Sequence, residues 1–457
     1  MKKKVTAIFD IGRTNKKFFL FDKNFREVYR EYIRLDEIED EDGFPAENLE
    51  ALENWTKEVL DRMLNSKEYD IQKVNFSSYG ASMVHIDENG KAILPLYNYL
   101  KPLPKEISET FYNKYGPENE LTRVTGSPKF DMLNSGMQLY WIKQTKPEVF
   151  KKIKYSLHLP QYISYLFTGV PVSDNTSIGC HTLLWDYEKN AYHNWVCKEG
   201  LDEKLAPIMT ADNIIFTTYN GKTIKMGVGI HDSSSALLPY VRSSKKTFVL
   251  VSTGTWSISI NPFATDMLSE TDIINECFFN MRVDGKPTKV SRLFLGNEYK
   301  LQMKVLSSHY NVPEDYHKTI KFDKNIFSEI DKDFECMFHW CGIISKDMPS
   351  ETKLSYDKFE YAYHQLMIEL LLLQVASIKS ANSSTNVKRI FVDGGFSDND
   401  VYIQLLTHYL PQMKLKTTDS SLGSALGAAI VISDKTLKPK FLKKNYSLKK
   451  QVPFIDK

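Results

Sequence analysis

Residues 5–21, VTAIFDIGRTNKKFFLF, are the stretch on which the reading of this chain turns. Val5, Ile8 and Phe9 lead into a polar turn, and Phe18, Phe19, Leu20 and Phe21 leave it, which predicts two strands of a hairpin within a sheet. The turn gathers Asp10, Gly12, Arg13, Thr14, Asn15 and two lysines, Lys16 and Lys17. Glycine lets backbone approach a ligand closely, Thr14 and Asn15 offer hydrogen bonds, and Asp10 suits a divalent cation, directly or through water. The set fits a polyphosphate with its metal. It fits a solvated hairpin turn equally well, because these are also ordinary turn residues.

With 457 residues the chain is expected to form two or three domains. Hydrophobic residues make up 42% and charged residues 25%, the balance of a folded soluble protein. The formal charge is +2, without the basic excess expected of a nucleic-acid binder. Met1-Lys2-Lys3-Lys4 runs directly into the first strand with no apolar signal core, and Leu366–Ile378 is too short and too interrupted to span a bilayer. Five scattered cysteines (Cys180, Cys197, Cys277, Cys336, Cys341) argue for a reducing, cytoplasmic setting. Cys336, His339 and Cys341 lack a second pair at zinc-ligand spacing and are expected to pack.

Along the chain, Arg34–Asp42 is an acidic surface loop, and Leu49–Leu64 carries apolar residues at helical spacing. Val74–Ile86 alternates as a strand that bends at Gly80, followed by a turn at residues 87–90. Pro95–Pro104 is loop, and Met137–Thr168 is expected to be helical, interrupted near Pro147 and Pro160. Ser173–Trp185 reads as loop or short strand. Gly227–Ala236 joins a strand to a helix starting near Ser233, and Arg242–Lys246 is the expected domain boundary.

Thr247–Phe263, TFVLVSTGTWSISINPF, repeats the shape of the opening hairpin: an apolar strand, a Thr253-Gly254-Thr255 turn, and an alternating strand. Two such hairpins about 240 residues apart are too widely spaced for a solenoid repeat. They suggest two related α/β domains facing each other across a cleft, where ligands commonly sit. The second half adds the strand Arg389–Val392, the Asp393-Gly394-Gly395-Phe396 loop with Asn399 just before a helix, and a small-residue helix over Ser421–Ser433. Residues 441–457 read as a lysine-rich solvated tail.

Neither a GxxxxGK[ST] loop nor a strand-linked GxGxxG fingerprint is present. Two phosphate-type turns, a Gly-Gly loop and one acid at a helix start, Asp232, are the parts that phosphoryl transfer to an alcohol requires. Such a reaction needs in-line placement, charge neutralisation and a carboxylate to take the hydroxyl proton. Asp232 fits the last role, or it merely caps its helix.

From Asp10 to about Ile430 these motifs resemble the FGGY family of carbohydrate kinases, and within it the rhamnulokinase and fuculokinase branch most. The motifs are Asp10-Ile-Gly-Arg-Thr-Asn-Lys-Lys, Gly229-Ile-His-Asp-Ser, Ser252-Thr-Gly-Thr-Trp-Ser, Asp393-Gly-Gly-Phe-Ser-Asp-Asn and Ser424-Ala-Leu-Gly-Ala-Ala. The resemblance implies two actin-like (ribonuclease H-like) domains, each a mixed sheet flanked by helices, over residues 1–241 and 247–440, with the active site between them. It implies ATP and Mg²⁺, with Asp10 at the metal, and Gly12, Arg13, Thr14, Asn15, Lys16, Thr253, Gly254 and Thr255 at the phosphates. Gly394, Gly395 and Asn399 would line the adenosine pocket. Asp232 would be the general base, and Gly80, His231, His85 and Asn297 would face the sugar, with Gln302 a second candidate beside Asn297. Family members often carry threonine where Arg13 stands, so Arg13 either touches phosphate or points to water. Tyr97, Tyr99, Phe130 and Trp185 are either sugar-stacking rings or core.

The activity implied is ATP-dependent phosphorylation of a 6-deoxyketohexose such as L-rhamnulose or L-fuculose. Kinases for xylulose or ribulose, and a non-catalytic actin-like ATP-binding or sugar-sensing module, are the other readings. The expected partners are the sugar and ATP, with no nucleic acid or membrane, in a monomer or homodimer.

Overall fold

The computed structural model describes residues 1–454 apart from 344, 346–347 and 420–421. Its frame is two mixed sheets of the same plan. In the N-terminal sheet, Lys3–Ile11 pairs antiparallel with Lys16–Asp22, which pairs antiparallel with Glu27–Ile33. On its other side Lys3–Ile11 runs parallel to Tyr69–Ser78, and Lys222–Gly227, Ile214–Tyr219 and the short Ile230–His231 complete the sheet. The C-terminal sheet repeats this. Val249–Thr253 pairs antiparallel with Ser257–Asn261 and parallel with Arg389–Gly394, flanked by Cys277–Met281 and Pro287–Leu293 at one edge and Lys414–Thr417 at the other. Strands buried on both faces must be apolar throughout, which is why Val74, Phe76, Val249 and Val251 are almost wholly buried.

Helix Leu49–Leu64 occupies the expected span, with Asn48 accepting the Ala51 N–H as its cap. It packs Leu52, Trp55, Val59 and Leu60 on the N-terminal sheet. Phe359–Ala381 is the long buried helix of the C-terminal core. Among the described residues no helix is long and apolar enough to cross a membrane.

Three local expectations are corrected. Residues 137–168 are not simply an interrupted helix. Pro147 and Pro160 each stand in the first turn of a new helix (Pro147–Lys152 and Leu159–Thr168), and a strand, Tyr155–His158, lies between them. Within the stretch expected to be loop or strand, Asn175–Ile178 is a short helix capped by Asp174. The lysine-rich end is not a solvated tail. Helix Phe441–Asn445 buries Phe441 and Leu442, Tyr446 is buried beyond it, and Lys449–Lys450 pairs with Lys416 and Thr417. Residues 455–457 and Ser421 lie outside the described residues.

The stretch Arg242–Lys246 spans the end of helix Asp232–Ser243 and the approach to strand Val249–Thr253. The lobes are not independent of one another. Helix Gly423–Val431, late in the second half, packs on helix Asp232–Ser243 and on the first strand. Gly427 permits this approach, since a Cβ there would lie 1.8 Å from the Ser235 carbonyl oxygen. Asn75 Nδ2 donates to the Ala428 carbonyl at 2.9 Å. One apolar cluster therefore holds Ile8, Phe21 and Leu237 together with Leu250, Phe391 and Ile430.

Candidate active site

The ends of the two hairpins and the start of helix Asp232–Ser243 define the site. A glycine N–H closes each turn: the Gly12 N–H donates to the Asn15 carbonyl, three residues on, at 3.0 Å, and the Gly254 N–H to the Trp256 carbonyl, two residues on, at 2.9 Å. These glycine N–H groups therefore shape the turns instead of facing a ligand. Thr14 and Thr255 are exposed at the tips, and Asn15 accepts from the Arg34 guanidinium at 3.0 Å.

The pleat separates the two lysines. Asp10 stands directly opposite Lys17 in the antiparallel ladder, so those two share a face, and Lys16 points to the other. Lys16 is 1% exposed, ion-paired with Glu47 and donating to the Arg13 carbonyl at 2.7 Å. Glu47 also accepts the Tyr79 hydroxyl at 3.1 Å. Lys16 is thus a buried structural cation and the expectation that it meets phosphate is corrected; Lys17 is the lysine on the Asp10 face. Arg13 is taken up by Glu37 at 3.4 Å and by the Tyr99 ring at 5.2 Å, so it neither points freely to water nor stands free toward a ligand. Burial pushes the Asp10 carboxyl up to about 6; Ser424 draws it down, Asp232 raises it further, and Lys17 draws it down.

Asp232 is the first residue of its helix, behind the N-cap His231, whose side chain makes no cap bond; Asp232 Oδ1 accepts from the Ser233 hydroxyl at 3.3 Å. Partial burial between the lobes pushes its half-exposed carboxyl up to about 6, against the lowering effect of the Ser233 backbone and hydroxyl. His231 Nε2 lies 3.3 Å from Asp232 Oδ1 and 3.2 Å from Cys180 Sγ. Burial holds His231 at about 4, a neutral imidazole. Its backbone N–H donates to Thr176 Oγ1 at 3.0 Å, and the Thr176 hydroxyl donates to buried Asp174. A Cβ on Gly80 would come within 3.0 Å of the His231 ring, so glycine is what lets the bend at residue 80 lie against it. Among the described residues, Cys180, His181 and His231 form a group whose ligand atoms lie within 4.8 Å of one another. Neither Cys180 nor His181 carries a local sequence signal; the fold brings their segment to His231, about fifty residues away in the chain.

Three expected site residues are not placed for a ligand. His85 is fully buried, opposite Ser156 in the pair of strands Met83–Ile86 and Tyr155–His158, with Nδ1 2.8 Å from the Ser156 hydroxyl. Burial holds it at about 3, and it offers no surface to a sugar. Gln302 is buried, donating to the His339 carbonyl at 2.7 Å. Asn399 caps helix Asp400–Tyr409, accepting the Tyr402 N–H at 3.0 Å while donating to the Tyr363 hydroxyl at 2.8 Å, so both ends of its amide are engaged. Asn297 sits in the first turn of helix Leu295–His309, its N–H on the Thr255 carbonyl at 3.2 Å, which puts it at the second phosphate turn. Tyr97 and Trp185 are core, whereas Phe130 is partly exposed under the Arg292 guanidinium, 4.2 Å from its ring centre. His339 is held by the Pro349 carbonyl at 2.9 Å, consistent with packing.

The second phosphate turn and the Gly-Gly loop are one unit. The Thr253 hydroxyl donates to the Asp393 carbonyl at 2.5 Å and accepts the Phe396 N–H at 3.0 Å. Gly394 has φ +82°, and a Cβ there would lie 1.9 Å from the Thr253 carbonyl oxygen. Gly395 is exposed, with open space where a Cβ would stand. Beside the loop, Tyr299 packs on Phe396 with ring centres 5.0 Å apart and borders a cavity of about 130 Å³ with Lys300, Met303 and His317.

Residues 5–238 match the FGGY family of carbohydrate kinases, N-terminal domain. The chain belongs to the FGGY family. The FGGY resemblance extends to a Rhamnulokinase of Halalkalibacterium halodurans, 25% identical over 186 residues, a stretch covering 39% of this chain and 39% of that protein. The aligned part is thus under half the length of that relative. Among solved FGGY-like structures, a carbohydrate kinase from Novosphingobium aromaticivorans superposes with TM-score 0.79 at 22% identity, covering 98% of this chain and 96% of that one. A ligand-bound xylulose kinase from Lactobacillus acidophilus superposes with TM-score 0.78 at 15% identity, covering 99% and 94%. The fold is the two-domain actin-like fold of these kinases, with mixed sheets flanked by helices.

Proposed function

We propose that this FGGY protein phosphorylates a sugar hydroxyl with ATP, with Asp232 as the general base. The observation that carries this is the Asp232–His231 pair at the head of a helix, beside Gly80 and close enough to Asp10 for the two carboxyls to act on each other. A carboxylate held near 6 is ionised at neutral pH yet basic enough to take a proton from a sugar hydroxyl in the transition state. Neutral His231, donating from Nε2, would orient that carboxylate. Asp10 and Lys17 fit a metal–polyphosphate complex, since one carboxylate and one ammonium share a face beside the exposed turn. Magnesium, when bound there, would neutralise phosphate charge; Asp10 would hold it. Open Gly395 and the Tyr299 cavity suit the adenosine.

The rhamnulokinase relative supports a ketose, with a 6-deoxyketohexose such as L-rhamnulose or L-fuculose as the first choice. The test is sugar-stimulated ADP release across L-rhamnulose, L-fuculose, D- and L-xylulose, L-ribulose, gluconate and glycerol. One preferred sugar is expected, with kcat falling about 10²–10⁴-fold in Asp232→Asn. Full activity of that variant would remove Asp232 from the role of base. A folded, ATP-binding protein that no sugar stimulates would overturn the kinase reading in favour of an ATP-binding sensor.

A further inference from the structure

A second cavity, of about 250 Å³, lies away from the cleft, where the linker leaving helix Asp232–Ser243 passes the edge of the C-terminal sheet. Lys245 and Lys246 line it from the linker, Arg389 and Lys416 from two parallel strands, and Phe391 and Leu442 give it an apolar floor. No acid lines it. The pleat explains the concentration: Arg389 and Phe391 are two residues apart on one strand and so share a face, and Phe391 is the register partner of Lys416. Lys416 in turn stands opposite Lys450 in an antiparallel pair. Like charges directly across a ladder are destabilising. Among the described residues none of these five cations forms an ion pair. Burial first, then the charges of Arg389 and Lys450, holds the Lys416 ammonium below the usual lysine range.

We propose that this cavity binds a small phosphate-bearing anion, its phosphate between Arg389 and Lys416 and its body on Phe391 and Leu442. The guanidinium offers a two-pronged contact to phosphate oxygens, and the ammonium groups supply point charges. A bound anion relieves the Lys416–Lys450 repulsion and ties the interlobe linker to the C-terminal sheet. The site is independent of the catalytic reading.

The experiment is calorimetric titration with inorganic tripolyphosphate in metal-free buffer at about 50 mM salt, where exposed charges are only partly screened. The proteins are wild type, Arg389→Gln/Lys416→Gln, Lys245→Gln/Lys246→Gln and, for the catalytic turn, Lys17→Met. Binding is expected to weaken at least about tenfold in the Arg389/Lys416 variant and measurably in the linker variant, while persisting in Lys17→Met. Thermal melting gives the second readout: the anion raises the wild-type Tm, and the Arg389/Lys416 variant, folded as well as wild type without anion, shows no such rise. No binding to wild type overturns the proposal. So does binding that both cavity variants keep and Lys17→Met loses, which would place the anion at the catalytic turn. Should the Arg389/Lys416 variant not fold, the linker variant decides alone, because its side chains are exposed.

Discussion

Asp232 and the two lysines of the first turn show how much depends on the surroundings of one side chain. Burial raises the Asp232 carboxyl to about 6, and a general base must be ionised to act. The expected kcat therefore falls as pH drops through about 6 and levels off above it, in a profile taken on the preferred sugar. A profile flat across that range would contradict the assignment. Lys16 and Lys17 are adjacent and chemically identical, yet their substitutions should part company. Lys16→Met leaves Glu47 buried without its cation and should cost about 3–5 kcal/mol in a denaturant melt. Lys17→Met should leave stability nearly unchanged and raise the KM for ATP. That the turn carries lysines was legible in the sequence; which of them shares the face of Asp10 was not, because strand register across the turn decides it.

Two small-residue contacts fix the larger elements. Helix Gly423–Val431 and helix Asp232–Ser243 meet at Gly427, where no side chain fits against the Ser235 carbonyl. Gly427→Ala should therefore destabilise by about 1–3 kcal/mol and lower kcat too, since the displaced helix carries Asp232; urea melts and turnover on one preparation check both. A loss of stability with turnover intact would show that the helix start is held by the Thr176 and His231 contacts alone. Most elements were legible: the two hairpins, helix Leu49–Leu64 and the small-residue helix follow from contiguous apolar patterns and turn residues. The strand Tyr155–His158 escaped because its four residues lie between two proline-started helices, too short a run for alternation to register. Asn399 looked like a ligand contact from its place after the Gly-Gly loop, but the helix it precedes claims its side chain as a cap.

At the scale of the whole molecule, the lobes share an apolar cluster, and the end of the chain closes it. Phe441, Leu442 and Tyr446 are buried, so a chain ending at residue 440 should lose about 4 kcal/mol or more and melt at lower temperature. An unchanged Tm would show the segment to be dispensable. Its five lysines made it look solvated, because composition averages over residues while burial depends on Phe441, Leu442 and Tyr446.

The amino-acid sequence by itself determined the fold class, the internal duplication, the family and the acid at the helix start. Each of these is carried by a contiguous motif, or by motifs whose order along the chain is enough. Only the tertiary structure decided which residues share the cleft. Gly80, Cys180, His181 and His231 meet from three segments, register puts Lys17 and not Lys16 on the face of Asp10, and His85, Gln302 and Asn399 are spent on packing and backbone partners. Local pattern encodes periodicity and turn geometry. Which polar group finds a partner inside the protein depends on contacts between residues far apart in the chain.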